Sequence, residues 1–191
     1  MIISLGGNQG SGKSTLAKQL AEALGWPRYS MGKLHRDMAA SKGMTLAEHN
    51  QLAESDPNID LEVDKYQEKL GKTEDNFIIE GRTSWHFIPH SLKLFIHVSE
   101  EVGAKRILDA NREGEDKSMD TLENVLLSLE NRKNNERKRY LDLFGIDVYD
   151  PKNYDYVLDT TNMTPGEVFS EAYKIIRERL ADDLAIDKQM I

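Results

Sequence analysis

The chain has 191 residues, 39% hydrophobic and 30% charged, a net charge of -8 and no cysteine. That length suits one globular domain with a full core, and no apolar run reaches the roughly 18–20 residues a membrane span needs. Disulfides are excluded, and an acidic surface argues against electrostatic binding of nucleic acid, so any anionic ligand must meet a local basic cluster.

Met1 to Leu5 is an apolar run ended by Gly6-Gly7, which predicts a short buried strand. From Lys13 the series Leu16, Leu20, Ala23 and Leu24 recurs at helical spacing, until Gly25-Trp26-Pro27 ends it. A brief extended segment to Ser30 leads into a polar stretch, Met31 to Lys42, that reads as a helix. Gly43 breaks it, and Thr45 with Glu48 forms a capping-box pattern for the next helix. A third polar helix is expected over Asp60 to Leu70. Together these make residues 31–70 a largely helical, weakly apolar insertion over the core.

Phe77-Ile78-Ile79 and Leu92 to Val98 read as buried parallel strands. A helix from Ser99 to about Asn111 is followed by the highly charged REGEDKSMD, Arg112 to Asp120, a candidate mobile lid. Asp120 to Phe144 is expected as one long helix. It carries Leu122, Val125, Leu126 and Leu129 on one side and a basic run, Arg132 to Arg139, further on. Tyr156-Val157-Leu158 is the last strand, and Thr164 to Leu180 the last helix, with Pro165 at its first position. Strands alternating with helices predict an α/β fold: a parallel sheet of about five strands flanked by helices. The expected single domain divides into a core (1–30, 76–111, 145–180), the insertion, and the lid with its following helix (120–144).

The segment Gly7-Asn8-Gln9-Gly10-Ser11-Gly12-Lys13-Ser14-Thr15 fits G-x-x-x-x-G-K-[ST] between a predicted strand and a predicted helix. Its glycines let backbone amides turn inward around phosphate, and the helix N-terminus adds favourable partial charge. Lys13 is placed for the β and γ phosphates of a nucleoside triphosphate and the Ser14 hydroxyl for Mg²⁺. The chain has no N-K-x-D tetrapeptide of the kind a GTPase uses to read its base.

A second anion site is expected from Ser30, Gly32 and Arg36, and from Glu80-Gly81-Arg82 at the carboxyl end of a central strand, where open parallel sheets place ligands. Glu80 is suited to reach Mg²⁺ through water. Arg106, Arg112, Arg132, Arg137 and Arg139 gather around the charged loop and the long helix as a local anion trap. Arg132 and Arg139 share a face and Arg137 is rotated away.

With these residues in place the chain resembles the cytidylate kinase family of nucleoside monophosphate kinases, especially its short archaeal-type members. The resemblance rests on GGNQGSGKST, SMGKLHRDMA, MTLAEHNQLAESDPNIDLEVD, EGR at Glu80 to Arg82, and RKRYLDLFGIDVYDPKNYDYVLDTTNMTPGEV. It implies ATP as donor, CMP or dCMP as acceptor, and Mg²⁺ on the donor phosphates. Ser30, Gly32, Arg36, Gly81 and Arg82 would then hold the monophosphate, with Arg112 in an arginine lid and Lys13, Arg112 and Arg132 as the catalytic cations. Two positions depart from the family pattern: Lys133 stands where an acid usually follows the lid-helix arginine, and Lys33 where acidic or apolar residues are common. A kinase for another acceptor, such as AMP, UMP or a non-nucleotide metabolite, and a non-turning-over ATP-binding regulator remain open alternatives. The N-terminus lacks a signal-peptide pattern. A cytoplasmic monomer whose partners are small nucleotides, with neither nucleic acid nor membrane, is expected.

Overall fold

The computed structural model describes residues 1–56, 58–110 and 121–189. Five strands form one parallel sheet: β1 (Ile2–Gly7), β2 (Arg28–Ser30), β3 (Phe77–Glu80), β4 (Leu92–His97) and β5 (Tyr156–Asp159), in the spatial order β2-β3-β1-β4-β5. The helices are α1 (Lys13–Leu24), α2 (Met31–Ser41), α3 (Leu46–Ser55), α4 (Asn58–Thr73), α5 (Ser84–Phe87), α6 (Glu100–Asp109), α7 (Leu122–Phe144) and α8 (Pro165–Gln189). The expected order of strands and helices is present throughout. α8 runs past the expected end at Leu180 to Gln189, and the expected lid, with Arg112, lies outside the described residues.

Alternation along the strands sorts the core into two layers. Ile3 and Leu5 of β1, Ile78 of β3, and Leu94 and Ile96 of β4 meet Leu16, Ala17 and Leu20 of α1 and Val168, Ala172 and Ile176 of α8. On the opposite face Ile2, Phe77 and Ile79 pack with Met31 of α2 and with Val63 and Leu70 of α4. Val125 of α7 is buried against Ala104 and Ile107 of α6, with Leu122, Leu126 and Leu129 half-buried around it. Thr45 and Glu48 form the reciprocal capping box at the head of α3, as their spacing predicts. Among the described residues, no helix is long and apolar enough to cross a membrane.

The first crossover runs from β1 to β2 on one side, and β3 connects across β1 to β4 on the other. The order in which strands are added therefore switches sides at β1, and the loop after β1 opens into the crevice at the carboxyl ends of the strands. That loop is seated on backbone. Gly7 has φ 127°, and a Cβ there would stand 2.0 Å from the Ile96 carbonyl oxygen. At Gly10, φ is 71° and a Cβ would stand 2.2 Å from the carbonyl oxygen of Gly103 on α6. Both positions need glycine for conformation and for space. Gly10→Ala is expected to strain the loop by about 1–3 kcal/mol. It should weaken nucleotide binding by one to two powers of ten in calorimetry, while the circular dichroism of the sheet and helices is retained.

Candidate active site

One cavity at the carboxyl end of the sheet brings most of the predicted site residues together. Gln9, Gly10, Ser11, Gly12, Lys13 and Ser14 form its donor side. Ser30, Gly32 and Arg36 enter from the head of α2, Glu80, Gly81 and Arg82 from the end of β3, and Arg132 from α7. Gly7, Asn8 and Thr15 flank the cavity. The carbonyls of Gly7 and Asn8 accept from Lys13, Asn8 Oδ1 lies 3.1 Å from His97 Nδ1, and Thr15 is exposed on the first turn of α1.

The sequence places Lys13 for phosphate, and its ammonium lies against the carbonyls of its own loop. It donates to Gly7 O at 2.9 Å, to Asn8 O, and to Ser11 Oγ at 3.3 Å. Desolvation in the loop, followed by the positive charge of Arg82, lowers its pKa from the usual 10.5 to about 7, with Glu80 and Glu136 opposing. Ser14 Oγ donates to Glu80 Oε2 at 2.6 Å, and Arg28 holds the other carboxylate oxygen with Nε at 3.0 Å and with its terminal nitrogen. A hydroxyl and a carboxylate side by side in the cavity wall are hard oxygen donors of the kind Mg²⁺ takes when phosphates and water complete its shell. Ser30 Oγ caps α2 by accepting from Lys33 N at 3.3 Å, which leaves the helix N-terminus facing the cavity.

Glu136 joins the two arginines at the end of β3 and on α7. It is 6% exposed, its Oε1 accepts from Arg132 Nε at 2.9 Å, and its Oε2 accepts from Arg82 Nε and from the Tyr149 hydroxyl. Burial alone would raise its pKa, yet Arg82 and Arg132 outweigh that and hold the carboxyl far below the ordinary range. Arg82 is correspondingly held in its charged form by Glu136 against the cost of burial.

The basic cluster divides. Arg132 and Arg139 line the cavity, and Arg139 pairs with Asp60 at 2.8 Å. Arg137 turns away to Asp147 at 2.9 Å. Arg106 does not belong to the trap: its guanidinium donates to Thr160 O at 2.7 Å and Thr160 Oγ1 at 3.2 Å, and the one Thr160 hydroxyl proton lies between the carbonyls of Ser11 at 3.1 Å and His97 at 3.0 Å. It braces the phosphate loop from behind, because α6 leans on the turn after β5. Lys133 pairs with Glu100 at 2.8 Å and lines a small cleft beside Asn8 and Gln9 rather than the cavity. Lys33 pairs with Asp37 in solvent at 2.6 Å. Neither departure from the family pattern touches the cavity.

Sequence reasoning missed Glu136, Tyr149, Arg28, His35 and a buried polar network on α4. Asp64 Oδ1 accepts from Gln67 Nε2 at 2.8 Å and from Thr83 Oγ1 at 2.7 Å, and Ser84 Oγ donates to Gln67 Oε1 at 2.5 Å. Burial, reinforced by Asp60, raises the Asp64 pKa to about 7 against those hydrogen bonds. Asp64, Gln67 and Thr83 line the cavity with Met31 and Val63, so its far end mixes apolar walls with hydrogen-bonding edges. The i, i+4 spacing of Arg132 and Glu136 was a readable signal. The others are joined only through the fold.

The two halves, a phosphate loop with its lysine and an arginine-lined pocket across the same crevice, define a phosphotransferase of the P-loop kinase class. Residues 2–162 match the cytidylate kinase-like family, and the chain belongs to that family. The cytidylate kinase of Methanobrevibacter smithii is 39% identical over 168 residues, covering 88% of this chain and 94% of the relative. That of Pyrococcus furiosus is 39% identical over 171 residues, covering 89% and 85%. Among solved structures, an uncharacterized protein from Eubacterium ventriosum superposes with a TM-score of 0.68 at 21% identity, covering 93% of this chain and 98% of that one. The shikimate kinase of Acinetobacter baumannii superposes at 0.56 and 17%, covering 96% and 94%, and shares the fold.

Glu136→Gln leaves the buried Arg82 cation unpaired and is expected to cost about 3–5 kcal/mol of stability. Because the folded-state pKa of Glu136 is depressed, its contribution is present above the unfolded carboxyl pKa of about 4.3 and is lost as pH falls below it. Thermal melts from neutral to acidic pH should therefore show a shallower acid slope in Glu136→Gln than in the wild type. Added inorganic phosphate should recover part of the variant's loss.

Proposed function

We propose that the protein transfers the γ-phosphate of ATP to a cytidine monophosphate, CMP or dCMP, giving the diphosphate. The observation that carries this is the single cavity in which the donor loop with Lys13 faces the acceptor cations Arg36 and Arg82. The archaeal relatives are cytidylate kinases, which supports cytosine as the base.

The acceptor oxygen of a monophosphate is already anionic, so the reaction needs alignment and charge neutralisation more than a general base. Lys13 exchanges its loop carbonyls for phosphate oxygens and carries positive charge to the transferring group. Arg82 and Arg132, aimed by Glu136, are placed to clamp the acceptor and transferring phosphates, with Arg36 at the cavity mouth. Arg112 adds a further lid cation on this reading. Mg²⁺, held by Ser14 directly and Glu80 through water, would supply neutralisation of the donor phosphates when bound. The base is assigned to the end bounded by Met31, Val63, Asp64, Gln67 and Thr83. The protein is taken to act as a cytoplasmic monomer on free nucleotides, and its charge of -8 accords with the absence of a nucleic-acid partner.

A coupled assay of ADP formation across CMP, dCMP, UMP and AMP tests the assignment, and preferential turnover of AMP or of no monophosphate would overturn it. Lys13→Ala and Arg132→Ala should each lower kcat by about two to three powers of ten, the scale of losing one transition-state contact, with the fold intact. Wild-type turnover in either would refute its role. ATP binding should also take up a proton, because phosphate oxygens favour the charged ammonium that burial in the loop disfavours. Above the Lys13 pKa of about 7, affinity is then expected to fall by up to about tenfold per pH unit. Calorimetry in buffers of different ionisation enthalpy reads the uptake, and Lys13→Arg, which stays charged, should abolish it.

A further inference from the structure

Tyr149 belongs to the segment between α7 and β5, inside the last of the family-like stretches but given no role there, and its hydroxyl bridges Gln9 and Glu136, which both line the cavity. The residue is 6% exposed. Its oxygen has one proton, and that proton is committed to Glu136 Oε2, since an ionised carboxylate only accepts. The same oxygen can then only accept from the donor loop, and it does so from Gln9 Nε2 at 3.1 Å. Glu136 passes the connection on to Arg82 and Arg132. A continuous chain of hydrogen bonds thus runs from the phosphate loop to both acceptor-side guanidiniums.

The ring also has two guanidiniums over it. The Arg82 guanidinium lies 5.6 Å from its centroid and that of Arg137 lies 5.9 Å away. Arg137 is tied to Asp147 at 2.9 Å, and Asp147 accepts from the backbone N of Tyr149 at 3.0 Å. With both ends fixed, a displacement of the hydroxyl has to be shared by its partners. Such a displacement has an origin on the donor side: to take a phosphate, Lys13 must release the carbonyls of Gly7 and Asn8, the residues directly before Gln9.

We propose that Tyr149 is a positioning residue that couples occupancy of the phosphate loop to the placement of Arg82 and Arg132, so that donor and monophosphate bind with positive synergy. The proposal rests on the two-substrate reading of the cavity. It gives the enzyme a means of aligning the acceptor arginines only when a triphosphate is seated. Coupling between sites is reciprocal, so each ligand tightens the other by one common factor. A connected set of contacts becomes a coupling route only when breaking it removes that factor.

The test is calorimetric titration of CMP with and without saturating Mg²⁺ and adenylyl imidodiphosphate, and the reverse titration, beside steady-state kinetics with ATP and CMP. The wild type should show at least about fivefold mutual tightening. In Tyr149→Phe each ligand alone should bind within about twofold of wild type, the tightening should fall to about one, and kcat should drop. Gln9→Leu, which breaks the chain at its other end and leaves the buried ring in place, should lose the synergy equally, and the double variant should lose no more. That second variant carries the test if Tyr149→Phe does not fold. Retained synergy in both single variants, or its absence from a wild type that phosphorylates CMP, overturns the proposal and leaves the function standing. A wild type with no CMP-dependent ADP formation overturns the functional reading, and this proposal falls with it.

Discussion

A pocket built to receive phosphates must keep its cations in place when no phosphate is there, and the carboxylate of Glu136 meets that constraint. Unpaired guanidinium groups facing one another in a low-dielectric crevice would repel and drive the site open. Glu136 lies between Arg82 from the end of β3 and Arg132 from α7, and so ties the sheet to the long helix. Its opposition to burial is settled by two positive neighbours. The position of α7, and through it the path of the chain toward Tyr149, depends on that contact.

The donor side answers the same constraint differently. Among the described residues no carboxylate pairs directly with Lys13, which caps backbone carbonyls of its own loop and gives up much of its affinity for a proton. The loop itself cannot collapse, because Gly10 is pressed against the Gly103 carbonyl and Thr160, steadied by Arg106, holds Ser11. Arg106 therefore supports the loop from behind and does not line the cavity. Glu80 is similarly shared: Arg28 takes one oxygen and Ser14 the other, which keeps a buried carboxylate compensated in the cavity wall.

How far the molecule was legible in its sequence follows from the range of the interactions involved. Period-two and period-3.6 patterns are local, so β1, β3, β4, α1 and the long α7 could be placed from Ile2, Phe77, Leu92, Leu16 and Leu122 onward. The phosphate loop was legible because its glycines, lysine and serine lie next to one another in the chain. Arg132 and Glu136 are one helical turn apart, and the pair could have been read as a unit. Asp64 with Thr83, Arg28 with Glu80 and Arg139 with Asp60 join separate elements, and nothing in local spacing marks them.

The sequence by itself determined the class of fold, the donor loop and the family resemblance, since each is carried by contiguous residues whose geometry the backbone imposes. Which side chains face the cavity was decided only by tertiary structure. Lys133 and Arg137 follow Arg132 in the same basic run, yet one pairs with Glu100 and the other with Asp147, because helix rotation and the packing of α7 on α6 set their directions. The meeting of Tyr149 with Gln9 and Glu136 is of the same kind. Gln9 and Tyr149 are held together by the sheet that folds between them, and no pattern in the chain connects them.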